Sequence, residues 1–123
     1  MLIRKQQQVI QDSIKTFQVD LYRTMKEVGN IISQDNTIDI LSYLSFEPMR
    51  YKKLQDLTKC KDNTLTRRLH KLMEYNLIER LDVVDNNKKT HEYVITELGQ
   101  ELIRFFRNYE QRRSQIKEKR LGE

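Results

Sequence analysis

The chain has 123 residues, of which 37% are apolar and 33% charged, and 23 Lys plus Arg stand against 18 Asp plus Glu for a formal charge of +5. An average globular domain holds about 45–50% apolar and about 25% charged residues. This length and balance therefore predict one core in a helix-rich shape with a large wetted surface, and they disfavour two independent domains. One Pro, three Gly and several helical-period stripes argue against disorder, although folding only as an oligomer stays open.

The charge excess is localised. Residues 1–49 carry 5 basic and 6 acidic side chains, residues 50–91 carry 11 and 6, and residues 92–123 carry 7 and 6. A basic middle third between near-neutral flanks is the first footprint of a polyanion binder, with a merely solvated Lys/Arg face as the alternative. The apolar run Tyr93-Val94-Ile95 falls far short of the roughly 20 residues of a bilayer span. Met1-Leu2-Ile3-Arg4-Lys5 lacks the apolar stretch of a secretory signal, and the single cysteine, Cys60, excludes an internal disulfide framework. A reducing, cytoplasmic compartment is the expectation.

In chain order, Ile3, Ile10, Ile14, Phe17, Leu21 and Val28, with Gln7 and Thr24, form a heptad seam on a long first helix. Such a stripe must pack on another helix of this chain or of a second copy, and Gly29 is the expected stop. Asp35 or Asn36 caps a short helix with Ile38, Leu41, Tyr43 and Leu44 as its apolar face, ending before Glu47-Pro48. Met49-Arg50-Tyr51 reads as a brief extended piece. A second short helix, about Lys52 to Lys59, offers Leu54 and Leu57 to the core. Asp62 then caps a third helix with Leu65, Leu69 and Leu72 buried, ending near Tyr75-Asn76. Residues Leu77 to Val84 and Thr90 to Ile95 are β-rich and flank the turn-forming Asp85-Asn86-Asn87-Lys88-Lys89, which predicts a hairpin with a basic tip. Thr96 caps a long last helix carrying Leu98, Leu102, Phe105, Tyr109 and Ile116 on one face, with an Arg-rich second half expected to fray.

Helix, helix, helix, hairpin is the order of a winged helix-turn-helix. From Pro48 to about Phe106 the sequence resembles the winged helix-turn-helix transcription regulators of the HxlR group, and more distantly those of the MarR and PadR groups. The match is carried by Pro48-Met49-Arg50-Tyr51-Lys52-Lys53-Leu54, by Leu65-Thr66-Arg67-Arg68-Leu69 with Leu72, by Asn76-Leu77-Ile78-Glu79-Arg80, and by Glu92-Tyr93-Val94-Ile95-Thr96-Glu97-Leu98-Gly99. The group's tryptophan before its first helix is absent, Asn76 stands where the pattern has Gly, and no cysteine precedes Cys60, so an amino-terminal redox sensor does not carry over. The long first helix is also atypical.

The resulting fold expectation is a mainly α (α+β) winged helix-turn-helix: residues 1–30 a dimerisation helix, 31–96 the DNA-binding domain, and 97–123 a second dimerisation helix with a frayed basic end. An α-helix fits the major groove, and the residues opposite its buried stripe reach base edges. At about 100° per residue from Leu65, that face holds Asn63, Arg67, His70, Lys71 and Glu74, with Thr64 and Thr66 on its flanks. Arg67 can fork onto a guanine and Asn63 onto an adenine. Lys71 and the threonines suit phosphates, as do Arg50, Tyr51 and Lys52 near the second helix and Asn87, Lys88 and Lys89 on the wing. Ile10, Ile14, Phe17 and Leu21, with Leu102, Phe105 and Tyr109, are the expected dimer contacts.

Cys60 sits between two lysines before a helix, a setting that lowers a thiol pKa, but the turn residue of a helix-turn-helix more often fills the core. One Cys with His70 and His91 gives no metal-ligand spacing, and no catalytic constellation or phosphate loop suggests an enzyme or a cofactor. The expected partners are double-stranded DNA and a second copy of the chain, on a pseudo-palindromic site with repression favoured over activation. Similar regulators often answer to a small effector, but no residues here specify its pocket. The competing reading is a winged helix that coats DNA without sequence preference or docks on polymerase or partition machinery.

Overall fold

The computed structural model describes residues 2–122, so Met1 and Glu123, the outermost residues of the two expected dimerisation segments, lie outside it. The chain divides into two compact units, Met1–Gln34 and Asp35–Glu123. The first unit is one helix, α1 (Leu2–Ile32). Its seam residues Ile3, Ile10, Ile14, Phe17 and Leu21 are all exposed. The helix runs through Gly29, whose carbonyl accepts from Ser33 N–H at 3.0 Å. Glycine permits a left-handed stop without imposing one, and the left-handed residue comes later, at Asn36 with φ 71°.

The second unit contains α2 (Thr37–Leu44), α3 (Tyr51–Thr58), α4 (Asp62–Glu74), β1 (Ile78–Asp85), β2 (Lys88–Ile95) and α5 (Glu97–Gly122). Asn36 flanks α2 by its backbone and makes no side-chain cap bond. The buried face of α2 is Thr37, Ile40, Leu41 and Leu44. Ile38, expected inside, is exposed, and Tyr43 is only half-buried. In α3, Leu54 is fully buried and Leu57 is 39% exposed, its carbonyl accepting from the Tyr43 hydroxyl. At about 100° per residue Leu57 stands roughly 60° round the helix from Leu54, at the edge of the one buried stripe.

Leu65, Leu69 and Leu72 of α4 are buried as their spacing predicts. Lys61 rather than Asp62 is the capping residue, and Asp62 occupies the first helical position, where its charge still suits the positive helix end. At the other end Asn76 adopts φ 61°. Leu77 N–H donates to Leu72 O at 2.9 Å and Asn76 N–H to Met73 O at 3.0 Å, the paired bonds of a Schellman motif with Asn in the usual Gly position.

The hairpin is longer and its turn tighter than expected. β1 and β2 pair antiparallel from Ile78↔Ile95 to Asp85↔Lys88. The turn is Asn86-Asn87 alone, with φ 50° and 63°, as a two-residue type I′ turn requires. Lys88 and Lys89 are therefore strand residues at the base of the tip. Met49 adds an isolated antiparallel bridge to Tyr93 on the other side of β2.

Thr96 caps α5, its Oγ1 accepting from Gly99 N–H at 3.0 Å. The core-facing residues of α5 are Gly99 and Ile103; of the expected apolar stripe, Leu98, Phe105, Tyr109 and Ile116 are exposed and Leu102 is half-buried. Gly99 is required by a close approach, because a Cβ there would stand 2.3 Å from Leu77 O and 2.7 Å from Ile95 Cγ1. The α5 helix extends through its basic end to Gly122. Ile40, Leu41, Leu44, Met49, Leu54, Cys60, Leu65, Leu69, Leu72, Leu77, Ile78, Tyr93 and Ile103 are the buried apolar residues of this unit. Fully burying one such leucine or isoleucine stabilises by about 1.5–3 kcal/mol.

Candidate nucleic-acid interface

Burial of the α4 leucine stripe turns the opposite face to solvent. Asn63, Thr66, Arg67, His70, Lys71 and Glu74 are exposed and Thr64 is half-buried. Arg67 leans back so that its Nε donates to Asn63 O at 3.4 Å. Lys71 Nζ pairs with Glu74 at 3.2 Å. Arg68, half-buried on the flank, donates from Nε to Asp35 O at 3.1 Å and so ties α4 to the residues before α2.

The expected phosphate holders around the start of α3 are already engaged. Arg50 Nη2 meets Asp85 Oδ2 at 2.8 Å. The Tyr51 hydroxyl lies 3.0 Å from Asp62 Oδ1 and 3.2 Å from Thr66 Oγ1. Lys52 pairs with Asp56 at 3.4 Å and Lys53 with Glu47. These are exposed pairs, which stabilise by no more than about 1 kcal/mol each, so they orient side chains more than they hold the fold together. The Tyr51 hydroxyl is held above its ordinary pKa of 10.0, first by burial and then, against the opposing pull of Thr66, by donation to Asp62 and the nearby carboxylate charge.

On the hairpin, Asn86, Asn87, Lys88 and Lys89 are exposed. His91 Nδ1 and Asp82 Oδ1 lie 2.7 Å apart across the ladder. Among the described residues no ion pair involves Arg67, Lys88, Lys89, Lys59 or Lys61. Lys59, left-handed at φ 57°, and Lys61 are exposed just before α4. Sequence reasoning used them only as neighbours of Cys60, although two cations before a helix N-terminus already signal a place for a phosphate. Cys60 itself is buried at 6% exposure, as a core-filling turn residue would be.

Among the described residues no group of three or more His, Cys, Asp and Glu is placed to hold a metal ion, and no helix is long and apolar enough to cross a membrane.

Solved structures share the fold at low identity. The reduced form of the transcriptional regulator YodB from B. subtilis superposes with a TM-score of 0.64 at 20% identity, over 71% of this chain and 85% of that one. A MarR-family regulator from Porphyromonas gingivalis W83 gives 0.59 at 18%, over 74% and 85%. S. aureus MepR in its complex with DNA gives 0.62 at 13%, over 88% and 92%. A comparison with curated proteins finds no significant match. The family model described as HxlR-like helix-turn-helix matches residues 31–120, which takes in α2 through most of α5. With most of its length under that match, and with the leucine-backed α4 followed by the hairpin, the chain belongs to the HxlR-like helix-turn-helix family.

Proposed function

We propose that the chain is a sequence-specific DNA-binding transcription regulator, acting as a homodimeric repressor on a pseudo-palindromic site. The observation that carries the reading is the outward face of α4, where Asn63, Arg67 and His70 are exposed on a helix fixed from behind by three buried leucines. That face has the width and chemistry of a major-groove reader. Arg67 reads a guanine and Asn63 an adenine. Lys71, Thr64, Lys52, Lys59 and Lys61 take phosphates, and Asn87, Lys88 and Lys89 lie along the backbone beside the groove. MepR, similar in fold, has been solved on DNA.

Residues 1–30 and 97–123 supply the dimer contacts. The seam of α1 is exposed from Ile3 to Thr24 and half-buried at Val28, and α5 repeats the pattern with Leu98, Leu102, Phe105, Tyr109 and Ile116 at alternating four- and three-residue spacing once Arg112 is included. Seams of this kind are buried by another helix, and a second copy provides one for each. A two-fold dimer would set two α4 helices about 34 Å apart, one turn of DNA.

The test is a salt titration of Arg67→Ala and of Lys88→Ala with Lys89→Ala on a selected site and on a scrambled one. Arg67→Ala should cost about 1–3 kcal/mol on the selected site and relax one base-pair position. The lysine variant should weaken both DNAs alike and flatten the plot of log K against log salt by up to about two units. Equal losses on both DNAs for Arg67→Ala would favour DNA coating without sequence preference.

A further inference from the structure

Three consecutive residues, Met49, Arg50 and Tyr51, touch in turn the two strands of the hairpin and the start of α4. Met49 exchanges backbone hydrogen bonds with Tyr93 of β2, at 3.0 Å outward and 2.7 Å in return. Arg50 grips Asp85, the last residue of β1 before the Asn86-Asn87 tip, at 2.8 Å. The Tyr51 hydroxyl lies 3.1 Å from Asp62 O, 3.0 Å from Asp62 Oδ1 and 3.2 Å from Thr66 Oγ1. Gln55 Nε2 donates to the same Asp62 oxygen at 2.6 Å. A phenol has a single proton, so Tyr51 donates to Asp62 and accepts from Thr66.

Resting on the DNA-binding reading, we propose that Met49–Tyr51 is a positioning clamp that holds the wing and α4 at a fixed spacing. Arg50 and Tyr51 then act on DNA through Asp85 and Asp62, and not by touching phosphates themselves. A specific complex needs both reading elements in register at once, whereas non-specific attraction to the backbone does not. Loosening either arm of the clamp therefore spends preference before it spends overall affinity. The Arg50–Asp85 pair is exposed on both sides, at 44% and 53%, so its loss leaves the fold intact. Its separation also returns an unpaired cation to the DNA-facing side, which strengthens non-specific binding.

The experiment measures binding of the full chain to a selected and a scrambled duplex across a salt series, for Tyr51→Phe, Asp85→Asn, Arg50→Asp and the swap Arg50→Asp with Asp85→Arg. Tyr51→Phe keeps the ring, and should bind the selected site about fivefold more weakly with the scrambled duplex unchanged. Asp85→Asn should lose preference by a similar factor while binding the scrambled duplex more tightly. The swap should recover most of the preference that Arg50→Asp alone loses. If Arg50→Asp weakens both duplexes equally and the swap does not restore it, Arg50 is a direct phosphate contact and the clamp is wrong. Equal weakening of both duplexes by Tyr51→Phe would likewise make its hydroxyl a phosphate donor. Preference retained by every variant overturns the clamp alone, whereas a wild-type chain without preference overturns the DNA-reading proposal beneath it.

Discussion

Replacing Gly99 by alanine should destabilise the domain, although alanine is the better helix former by about 1 kcal/mol. The new Cβ would stand 2.3 Å from Leu77 O and 2.7 Å from Ile95 Cγ1, so the start of α5 must retreat by about 1 Å to reach an ordinary contact. That retreat pulls on Thr96, whose N–H donates to Leu77 O at 3.0 Å and whose hydroxyl donates to Asn76 O at 2.6 Å. Overpacking of this kind costs about 1–3 kcal/mol, and each weakened hydrogen bond about 1 kcal/mol. Set against the helix gain, the net loss is about 2–4 kcal/mol, or about 10–30 °C in Tm for a unit of this size. Gly29 is the control: nothing lies within 4 Å of its Cβ position, so Gly29→Ala should raise helicity and stabilise by about 0.5–1 kcal/mol. Urea unfolding followed by circular dichroism measures both. A Gly99→Ala chain as stable as wild type would refute the close-approach argument.

Ile14→Asp with Leu21→Asp places charge in the exposed seam of α1 and should yield monomer by light scattering; an unchanged dimer would remove α1 from the interface. Because Cys60 is buried, Cys60→Val should fold and bind DNA as wild type does, and mild peroxide should leave wild-type binding unchanged. A peroxide-dependent loss that Cys60→Val abolishes would contradict this. Tyr51, whose hydroxyl is held above 10.0 by burial and then by Asp62 against Thr66, is stabilised in its neutral form by the fold. Its contribution is fully present below pH 10.0 and is lost as pH rises through the raised value. The difference in unfolding free energy between wild type and Tyr51→Phe should therefore shrink at alkaline pH, and a difference that grows would reverse the assignment.

How far the sequence reveals the molecule depends on whether a feature is local. The α4 stripe is legible because Leu65, Leu69 and Leu72 stand among polar residues with only Met73 beside them, and the same contrast assigns Arg67 and Asn63 to the outer face. In α2 five of eight residues are apolar or aromatic, so periodicity allows more than one inward face, and packing selects Ile40 over Ile38. The α5 helix carries two apolar edges, Gly99–Ile103 and Leu98–Leu102–Phe105–Tyr109–Ile116, and only tertiary contact tells the core edge from the free one. Five consecutive turn-formers conceal the hairpin register, because Lys88 and Lys89 pair as strand residues once Asn86 and Asn87 accept positive φ. The partners of Arg50 and Tyr51 lie 35 and 11 residues away, beyond any local pattern, so both residues read from sequence as free phosphate holders.

The most direct test of the account is the ratio of wild-type affinities for a duplex selected from a random pool and for its scrambled counterpart, measured at one near-physiological salt concentration. A sequence-reading dimer should select a pseudo-palindrome and prefer it by about a thousandfold or more. Affinities equal within a few-fold, both falling together with salt, would contradict it and leave only electrostatic attraction.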